Sequence, residues 1–525
     1  MTHATAPAGI FLSRRFAWPC LCRAGRLHDW TELASLTRAV RPLQVTTVAE
    51  GPVTPLPLPP ETLTAYHKAV REMVVWYDAL PPERKVAECE RLGIQVVIDP
   101  CAEKGVHRFT PSDEFRTGLL DQYHTRPGVG VPVVAWRPND GTGRLDNHRP
   151  PEGLSAPYTA VVLPAGEGRW TLRFVNPVEH STLEIGGKAV TVAANYSAPI
   201  AQLVEKAKPL ARSGFGGMLS PTKSKRREKL YLMEPYDPKK IPLLMVHGLQ
   251  STPVAFINLT NDLQSDPMVR RRYQIWHYHY PTGTPVLLNA ANFRQVLSST
   301  LKEIDPQGDD FATNHLVVIG HSMGGILTHT LVSEPGYKLW DAVINVRPDK
   351  VKMPPESLAQ LKGVFLFHRD PRVKRVVFIS VPHRGSTWAD NFVGDLGQTL
   401  FRPDRKVTDV FGHLVEVQRE VVHPFVVGLY DEGKFSSIRT LSASSPSLQM
   451  LATLPPEVPF HSIIGQKGAG PLDLGSDGIV TYKSSHLDGA ESELVVRSGH
   501  NSFRKQEAVA EIKRILYEHL RKSGS

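Results

Sequence analysis

Short runs rich in hydrophobic residues recur through the second half of the chain and are separated by segments of helical length. Six of these runs lie at 243–246, 273–278, 316–319, 376–381, 460–464 and 494–496. Continuous runs of valine, isoleucine and leucine are typical of parallel strands that are buried on both faces. Because strands that alternate with helices assemble into an α/β sheet, the pattern predicts an α/β domain that ends in an amphipathic helix over 506–520.

In the first half of the chain, hydrophobic residues recur with other periods. The apolar residues of 61–80 share one helical stripe, and two prolines follow this segment, whereas hydrophobic and polar residues alternate over much of 155–195. Together the patterns divide the chain into an irregular proline-rich arm over 1–60, a small α+β or mostly-β module of unknown role over 61–205, a basic linker over 206–240, and the α/β domain over 241–525.

Composition excludes several classes of protein. Hydrophobic residues make up 41% and charged residues 22% of the chain, as in an ordinary globular protein. No uncharged apolar run approaches the roughly 18 residues of a membrane-spanning helix, which excludes a polytopic membrane protein. The net charge of +9 is modest for 525 residues and gives no reason to expect nucleic-acid binding. It is compatible with peripheral membrane contact, and the basic run 223–229 is interpreted as a solvated linker rather than a phosphate or membrane patch.

The compartment stays open. Arginines and prolines interrupt the apolar residues near the N-terminus, so no convincing signal peptide is predicted, and both the cytoplasm and the cell envelope remain candidates. The four cysteines lie in the first fifth of the chain, at 20, 22, 89 and 101. Their spacing does not predict a zinc site, and a bond between Cys89 and Cys101 is neither favoured nor excluded.

The strongest chemical signal is a G-x-S-x-G motif that joins a buried strand to a helix. Gly320, Ser322 and Gly324 form the motif, and 316–319 supplies the strand. A tight strand-to-helix turn leaves no room for side chains beside the serine, which explains the flanking glycines. The turn would expose the Ser322 hydroxyl at the N-terminus of a helix, where negative charge is favoured. The motif predicts a nucleophile elbow.

A serine needs a base to become nucleophilic, and the base needs an acid to orient it. His500 follows the last apolar run and is the predicted base. Asp477, on the loop after the run 460–464, is the predicted acid, with Asp473 as the alternative. For the oxyanion hole, the backbone amides of Met323 and Leu249 are the predicted donors, because Gly248 permits the turn that would direct the Leu249 amide towards the site.

These motifs resemble those of the α/β-hydrolase-fold serine hydrolases, and are similar to bacterial lipases and esterases, including the PGAP1-like hydrolases. The matching segments are Val246-His-Gly-Leu249, Gly320-His-Ser-Met-Gly-Gly325, Val381-Pro-His-Arg-Gly-Ser386, Ser476-Asp-Gly478 and Ser498-Gly-His500. They span about half the chain, in the order nucleophile, acid, base that this fold uses. The resemblance implies a mostly parallel sheet with helices on both faces and a Ser322–Asp477–His500 triad.

The predicted function is hydrolysis of a small-molecule or lipid carboxylic ester through an acyl-enzyme on Ser322, with no cofactor and no metal. An amidase, a thioesterase or an acyltransferase would use the same triad, and a non-catalytic protein that keeps the fold is the alternative from another class. Acyl-chain length, natural substrate and oligomeric state are left open by the motifs.

About 70 residues, 386–455, exceed what the sheet requires and are rich in apolar residues at helical spacing. We interpret them as a cap over the site, in which Trp388 and Phe392 line a substrate pocket; plain helical packing is the alternative. Two further patterns are assigned to structure rather than to ligands. His277 and His279 share one face of a strand without a third metal ligand, and the glycines of 465–470 do not have the order of a dinucleotide loop.

Overall fold

The computed structural model describes residues 59–100, 108–115, 118, 120–166, 169–185, 188–211, 228–387, 389 and 405–523. These residues form two compact units. The first contains the described residues up to Asp140 together with 151–206 and 264–271, and the second contains 141–150, 207–263 and the chain from Arg272 onwards.

Strands and helices are numbered in chain order. The strands are β1 Ile94–Ile98, β2 Arg108–Pro111, β3 Thr125–Arg126, β4 Val131–Arg137, β5 Leu154–Pro164, β6 Trp170–Val175, β7 Thr182–Ile185, β8 Lys188–Thr191, β9 Ala194–Asn195, β10 Lys229–Leu232, β11 Ile241–Val246, β12 Tyr273–His279, β13 Leu316–His321, β14 Val373–Ile379, β15 Phe460–Gly465 and β16 Ser492–Val496. The helices are α1 Pro60–Ala79, α2 Pro82–Arg91, α3 Ala198–Ala211, α4 Ile257–Gln264, α5 Pro267–Arg272, α6 Val286–Ile304, α7 Met323–His329, α8 Lys338–Asp341, α9 Pro355–Phe365, α10 Arg405–Val417, α11 Pro424–Asp431, α12 Ser437–Thr440, α13 Pro446–Leu451, α14 Tyr482–Ser485 and α15 Gln506–Ser523.

The first unit is built on a five-stranded mixed sheet in the order β1-β6-β5-β4-β2, in which only the β1–β6 pairing is parallel. Helix α1 packs against this sheet through the predicted apolar stripe, and Phe109 stacks on Phe174 at 3.8 Å between ring centroids. Trp170, Leu172 and Phe174 are buried at alternate positions of β6, as the two-residue period predicts. Two-stranded ribbons, β3–β9 and β7–β8, complete the unit.

The second unit contains a seven-stranded sheet in the order β10-β12-β11-β13-β14-β15-β16. All pairings are parallel except β10–β12, and every residue of β11, β12 and β13 is buried. Each of the six hydrophobic runs lies in or overlaps a strand, so the predicted α/β class is confirmed. The run at 376–381 extends two residues beyond its strand. Strand β14 ends at Ile379, because Ser380 has a φ of 49° and leaves the extended conformation.

The sheet order determines where the chemical motifs meet. Strand β13 lies between β11 and β14, and β15 and β16 follow towards one edge. Because these strands are parallel, the loops that follow them emerge at the same carboxyl edge, where α/β sheets commonly bind ligands. The segments after β11, β13, β15 and β16 are those in which the sequence analysis places the site.

Several sequence-based assignments fall outside the described residues: the proline-rich arm, most of the basic run 223–229, Cys101, Trp388 and Phe392. Cys89 is described, and its thiol is buried in α2. Of the region 386–455, the described part contains helices α10–α13, and the Ser386 amide connects to it by a hydrogen bond to the Leu441 carbonyl at 2.8 Å. Within the described parts of the chain, no helix is long and apolar enough to cross a membrane.

Candidate active site

Ser322 occupies a strained turn between β13 and α7. Its φ of 54° and ψ of −128° lie in a region that residues with a Cβ rarely adopt. Its amide donates to the Ile379 carbonyl at 2.9 Å, so the neighbouring strand β14 holds the turn in place. The side chain is only 7% exposed. Backbone strain, tolerated because the sheet over-determines it, thus presents the hydroxyl at the carboxyl edge.

The glycines of the motif are required by close backbone contacts. A Cβ on Gly324 would collide with the carbonyl oxygens of Val246 and His247, and a Cβ on Gly320 would lie 2.6 Å from the Gly325 Cα. Gly325 itself leaves no room, since its Cβ would enter the side chain of Val381. Three glycines therefore let α7 pack directly against the ends of β11 and β14, and a larger residue at any of them would displace the turn.

His500 connects the serine to the aspartate. Its Nε2 lies 2.8 Å from the Ser322 Oγ, and its Nδ1 lies 2.8 Å from the Asp477 Oδ2. Since a carboxylate only accepts, the hydrogen must be on Nδ1, which leaves the Nε2 lone pair free to accept the serine hydroxyl proton. Residues 178 positions apart are brought together, because His500 lies on the loop between β16 and α15 while Ser322 follows β13.

Asp477 is held in its charged form. The amides of Ile479 and Val480 each donate to Oδ1 at 2.8 Å, and His500 bonds to Oδ2. Burial opposes ionisation of the carboxyl, but these hydrogen bonds outweigh it and lower the carboxyl pKa. The alternative acid, Asp473, lies in a one-turn 3₁₀ helix and is exposed. The structure therefore places Asp477, and not Asp473, on the imidazole.

Two side chains that the sequence analysis left without a role support this arrangement. The His321 Nε2–H donates to the His500 carbonyl at 3.0 Å, which ties the nucleophile turn to the loop of the histidine. Burial and the neighbouring His500 lower the pKa of His321 to about 3, so it is neutral near pH 7. The Ser386 hydroxyl donates to the Ile479 carbonyl at 2.5 Å and so supports the turn that holds Asp477. Both residues lay inside quoted motifs, but their partners are 179 and 93 positions away.

The loop after β11 passes directly against the nucleophile. A Cβ on Gly248 would lie 2.9 Å from the Ser322 Cβ, and Gln250 takes a positive φ of 55°. Tyr280 stacks on His247 at 4.4 Å and donates its hydroxyl proton to the His247 carbonyl at 2.6 Å. Leu249 is partly buried against the core and Met323 is fully buried at the start of α7. The two predicted oxyanion donors therefore belong to residues that flank the serine turn.

The histidines of β12 are packing residues in this structure. His277 stacks near Phe256 and lies 3.5 Å from the Thr260 hydroxyl, and burial lowers its pKa to about 4. His279 lies 5.7 Å from the ring of His247. Another cluster, His461 with Glu491 and Glu518, has the geometry of metal ligands, but the Arg375 guanidinium contacts both His461 and Glu491 and occupies their lone pairs. Neither group offers a vacant set of ligands.

No protein-family description matches the chain, and no curated protein matches it in sequence. Among solved structures, it is similar to the mature Bacillus licheniformis lipase BlEst2, with 16% identity, a TM-score of 0.32, and coverage of 55% of this chain and 98% of that one. It is also similar to EstA from Clostridium botulinum (12%, TM-score 0.33, 54% and 87%) and to Staphylococcus hyicus lipase (12%, TM-score 0.31, 55% and 96%). At this distance the function of the site rests on its own geometry.

The bond from His321 to the His500 carbonyl generates a prediction. His321→Phe removes the donor, so the imidazole should sample wrong positions and Ser322 should react about 10–100-fold more slowly with a fluorophosphonate probe. His321→Gln retains an N–H donor and should recover most of the rate. The rate of probe labelling, measured on variants whose folding is checked by circular dichroism, tests this prediction. Equal rates for the Phe variant and the wild type would show that the bond does not position the base.

Proposed function

We propose that this protein is a serine hydrolase of the α/β-hydrolase class that cleaves carboxylic esters through an acyl-enzyme on Ser322. The observation that carries the proposal is the pair of 2.8 Å contacts through which His500 joins the Ser322 hydroxyl to the Asp477 carboxylate. A buried carboxylate, a singly protonated imidazole and a hydroxyl on a strained turn are the parts that acyl transfer needs. A merely structural serine would not require the backbone strain found here.

The proposed reaction uses these groups in sequence. The Ser322 Oγ attacks the ester carbonyl while His500 Nε2 takes its proton, and Asp477 stabilises the imidazolium that forms. The amides of Leu249 and Met323 donate to the oxyanion, and His500 returns the proton to the leaving alcohol. A water molecule then repeats the attack on the acyl-enzyme and releases the acid. Every proton in this scheme passes through His500, and no step calls for a cofactor.

An apolar cavity lies in the second unit, and none of the triad or oxyanion residues is among the side chains that line it. It has a volume of about 40 Å³ and lies between the first turn of α6 and helices α9–α13. The cap region contributes several of its lining side chains, including Phe411, Phe425 and Leu429. Trp388 and Phe392 stay predictions, because they are outside the described residues. We propose that the described cap helices select the acyl chain through this lining.

The alternatives are separable by experiment. An amidase, a thioesterase or an acyltransferase would keep the same triad, and a panel of matched ester, amide and thioester substrates distinguishes them from an esterase. A non-catalytic binding protein would leave Ser322 unreactive. Covalent labelling of Ser322 by a fluorophosphonate, located by peptide mass spectrometry, therefore tests the proposal as a whole.

The first prediction from the proposed function concerns the triad. Ser322→Ala and His500→Ala should each lower kcat on a p-nitrophenyl ester by about 10⁴–10⁶-fold, because the two residues act in one proton transfer. The double variant should be scarcely slower than either single variant. Steady-state kinetics on purified, folded protein provide the measurement. Retention of more than about a tenth of the wild-type rate by either single variant would contradict the assignment.

The second prediction concerns the acid. Asp477→Asn should preserve the fold but deprive His500 of its anionic partner and favour the wrong tautomer, with a loss of about 10⁴ in kcat. Asp473→Asn, four residues away on the same loop and exposed, is the matched control and should retain the wild-type kcat. The opposite ranking in kcat would assign the acid to Asp473.

The third prediction concerns the acyl chain. Each methylene buried in an apolar pocket contributes about 0.8 kcal/mol, so kcat/KM should rise about fourfold for each added methylene until the pocket is full, then level off. Phe411→Ala and Leu429→Ala should move the preferred chain length in a series of p-nitrophenyl esters. Leu516→Ala, an equally buried change in α15, should lower stability and leave the preference unchanged. Superimposable profiles for the cap variants and the wild type would exclude the cap helices from substrate selection.

A further inference from the structure

Two arginines of the first unit face one tyrosine. Arg126 ends the short strand β3, and Tyr196 follows β9, the strand that pairs with it. Arg270 belongs to α5, in the segment 264–271 of the same unit. The guanidinium of Arg270 lies 3.7 Å from the centroid of the Tyr196 ring, and that of Arg126 lies 5.8 Å from the same centroid. The fold thus collects two positive charges from distant parts of the sequence around a single side chain.

The hydrogen-bond partners of both guanidinium groups are neutral. Arg126 donates through Nε to the Val192 carbonyl at 2.9 Å and through Nη2 to the Pro177 carbonyl at 3.2 Å. Arg270 donates through Nη1 to the Gln264 carbonyl at 2.5 Å. Within the described part of the chain, neither arginine forms an ion pair with a carboxylate. Carbonyl oxygens fix the orientation of the two groups but supply no counter-charge.

The surroundings make the positive charge of both arginines costly. Burial is the main cause that lowers the pKa of both arginines, which shows that each cation has lost part of its hydration. Asp266 is near enough to favour the charged form of Arg270. Its Oδ1, however, accepts hydrogen bonds from the Met268 and Val269 amides at 3.0 and 3.2 Å, at the start of α5. Two partly buried cations that also repel each other would be stabilised by an anion between them.

Two buried donors of this cluster have no hydrogen-bond partner in the described part of the chain. Tyr196 is 6% exposed, and its hydroxyl has no hydrogen-bond partner. The Nε of Arg270 is likewise buried without a partner. Buried polar groups are nearly always hydrogen-bonded, so an orphaned hydroxyl beside two guanidinium groups is the signature of a missing acceptor. The 14-residue helix α3 also begins two residues after Tyr196, and its positive end adds to the potential.

We propose that Arg126, Arg270 and Tyr196 form a binding site for an oxyanion, a carboxylate or a phosphate group. The Tyr196 hydroxyl and the Arg270 Nε supply donors, and the two guanidinium groups supply the charge. Planar guanidinium groups suit both anions, because each presents oxygen pairs at the spacing of the N–H fork. The site belongs to the first unit and does not depend on the esterase proposal, so an experiment that contradicts one proposal does not contradict the other.

Titration calorimetry on the full chain tests the proposal, with inorganic phosphate in one arm and acetate in the other, at constant ionic strength set by sodium chloride. The wild type should bind at least one of these anions with a saturable heat. Saturation by phosphate alone would identify a phosphate site, and saturation by acetate would identify a carboxylate site. Ser322→Ala should bind as the wild type does.

Three variants and a control locate the binding. Arg270→Gln and Arg126→Gln should each lower the affinity for the anion by about tenfold or more. Tyr196→Phe, which keeps the ring, should lower it by about five- to tenfold. Arg271→Gln removes a charge from the same helix at an exposed position and should bind normally. No saturable binding by the wild type, or losses as large for Arg271→Gln as for Arg270→Gln, would overturn the site. Thermal unfolding with and without phosphate identifies any variant that is misfolded rather than unable to bind.

Discussion

The packing of three short strand ends around one strained serine is the constraint on which the rest of the site depends. Ser322 keeps its positive φ because its amide bonds to the Ile379 carbonyl and because glycines at 320, 324 and 325 let α7 approach β11 and β14 without side chains between them. Strain of this kind costs on the order of 1–3 kcal/mol and persists only where the surroundings over-determine it. The buried parallel sheet supplies that support, and it also orders the loops that carry the other residues.

The distribution of charge around the serine follows from burial. His321 lies in the nucleophile turn, His247 precedes the glycine that contacts Ser322, and His277 lies on the strand next to β11; burial depresses the pKa of each far enough to keep it neutral. A positive charge on any of them would oppose the formation of a second one on His500. Asp477, by contrast, is kept ionised by the hydrogen bonds that it accepts. The Asp477 anion thus lies on the Nδ1 side of His500, and the neutral histidines add no positive charge to the interior around it.

The loop from Val381 to Ser386 makes hydrogen bonds to several separate parts of the second unit. The Ser386 amide donates to the Leu441 carbonyl in the region 386–455, while the Ser386 hydroxyl donates to the Ile479 carbonyl two residues after Asp477. The Arg384 guanidinium donates to the Lys483 and His486 carbonyls on the far side of the acid loop. One short loop therefore makes hydrogen bonds both to the region 386–455 and to the turn that holds Asp477.

The amino-acid sequence by itself predicted six strands of the seven-stranded sheet, the tight turn at Ser322 and the side chains that meet there. Hydrophobic runs and G-x-S-x-G are local patterns, and they depend only on which residues a buried strand or a tight turn can accommodate. It favoured Asp477 as the acid and kept Asp473 as the alternative, because both follow the same strand. Only the tertiary structure separated them, by giving the former its bond to His500. The bond from His321 to the His500 carbonyl and the gathering of Arg126, Arg270 and Tyr196 were likewise decided by the fold, because contacts between residues far apart in the chain depend on the packing of whole elements and leave no local pattern.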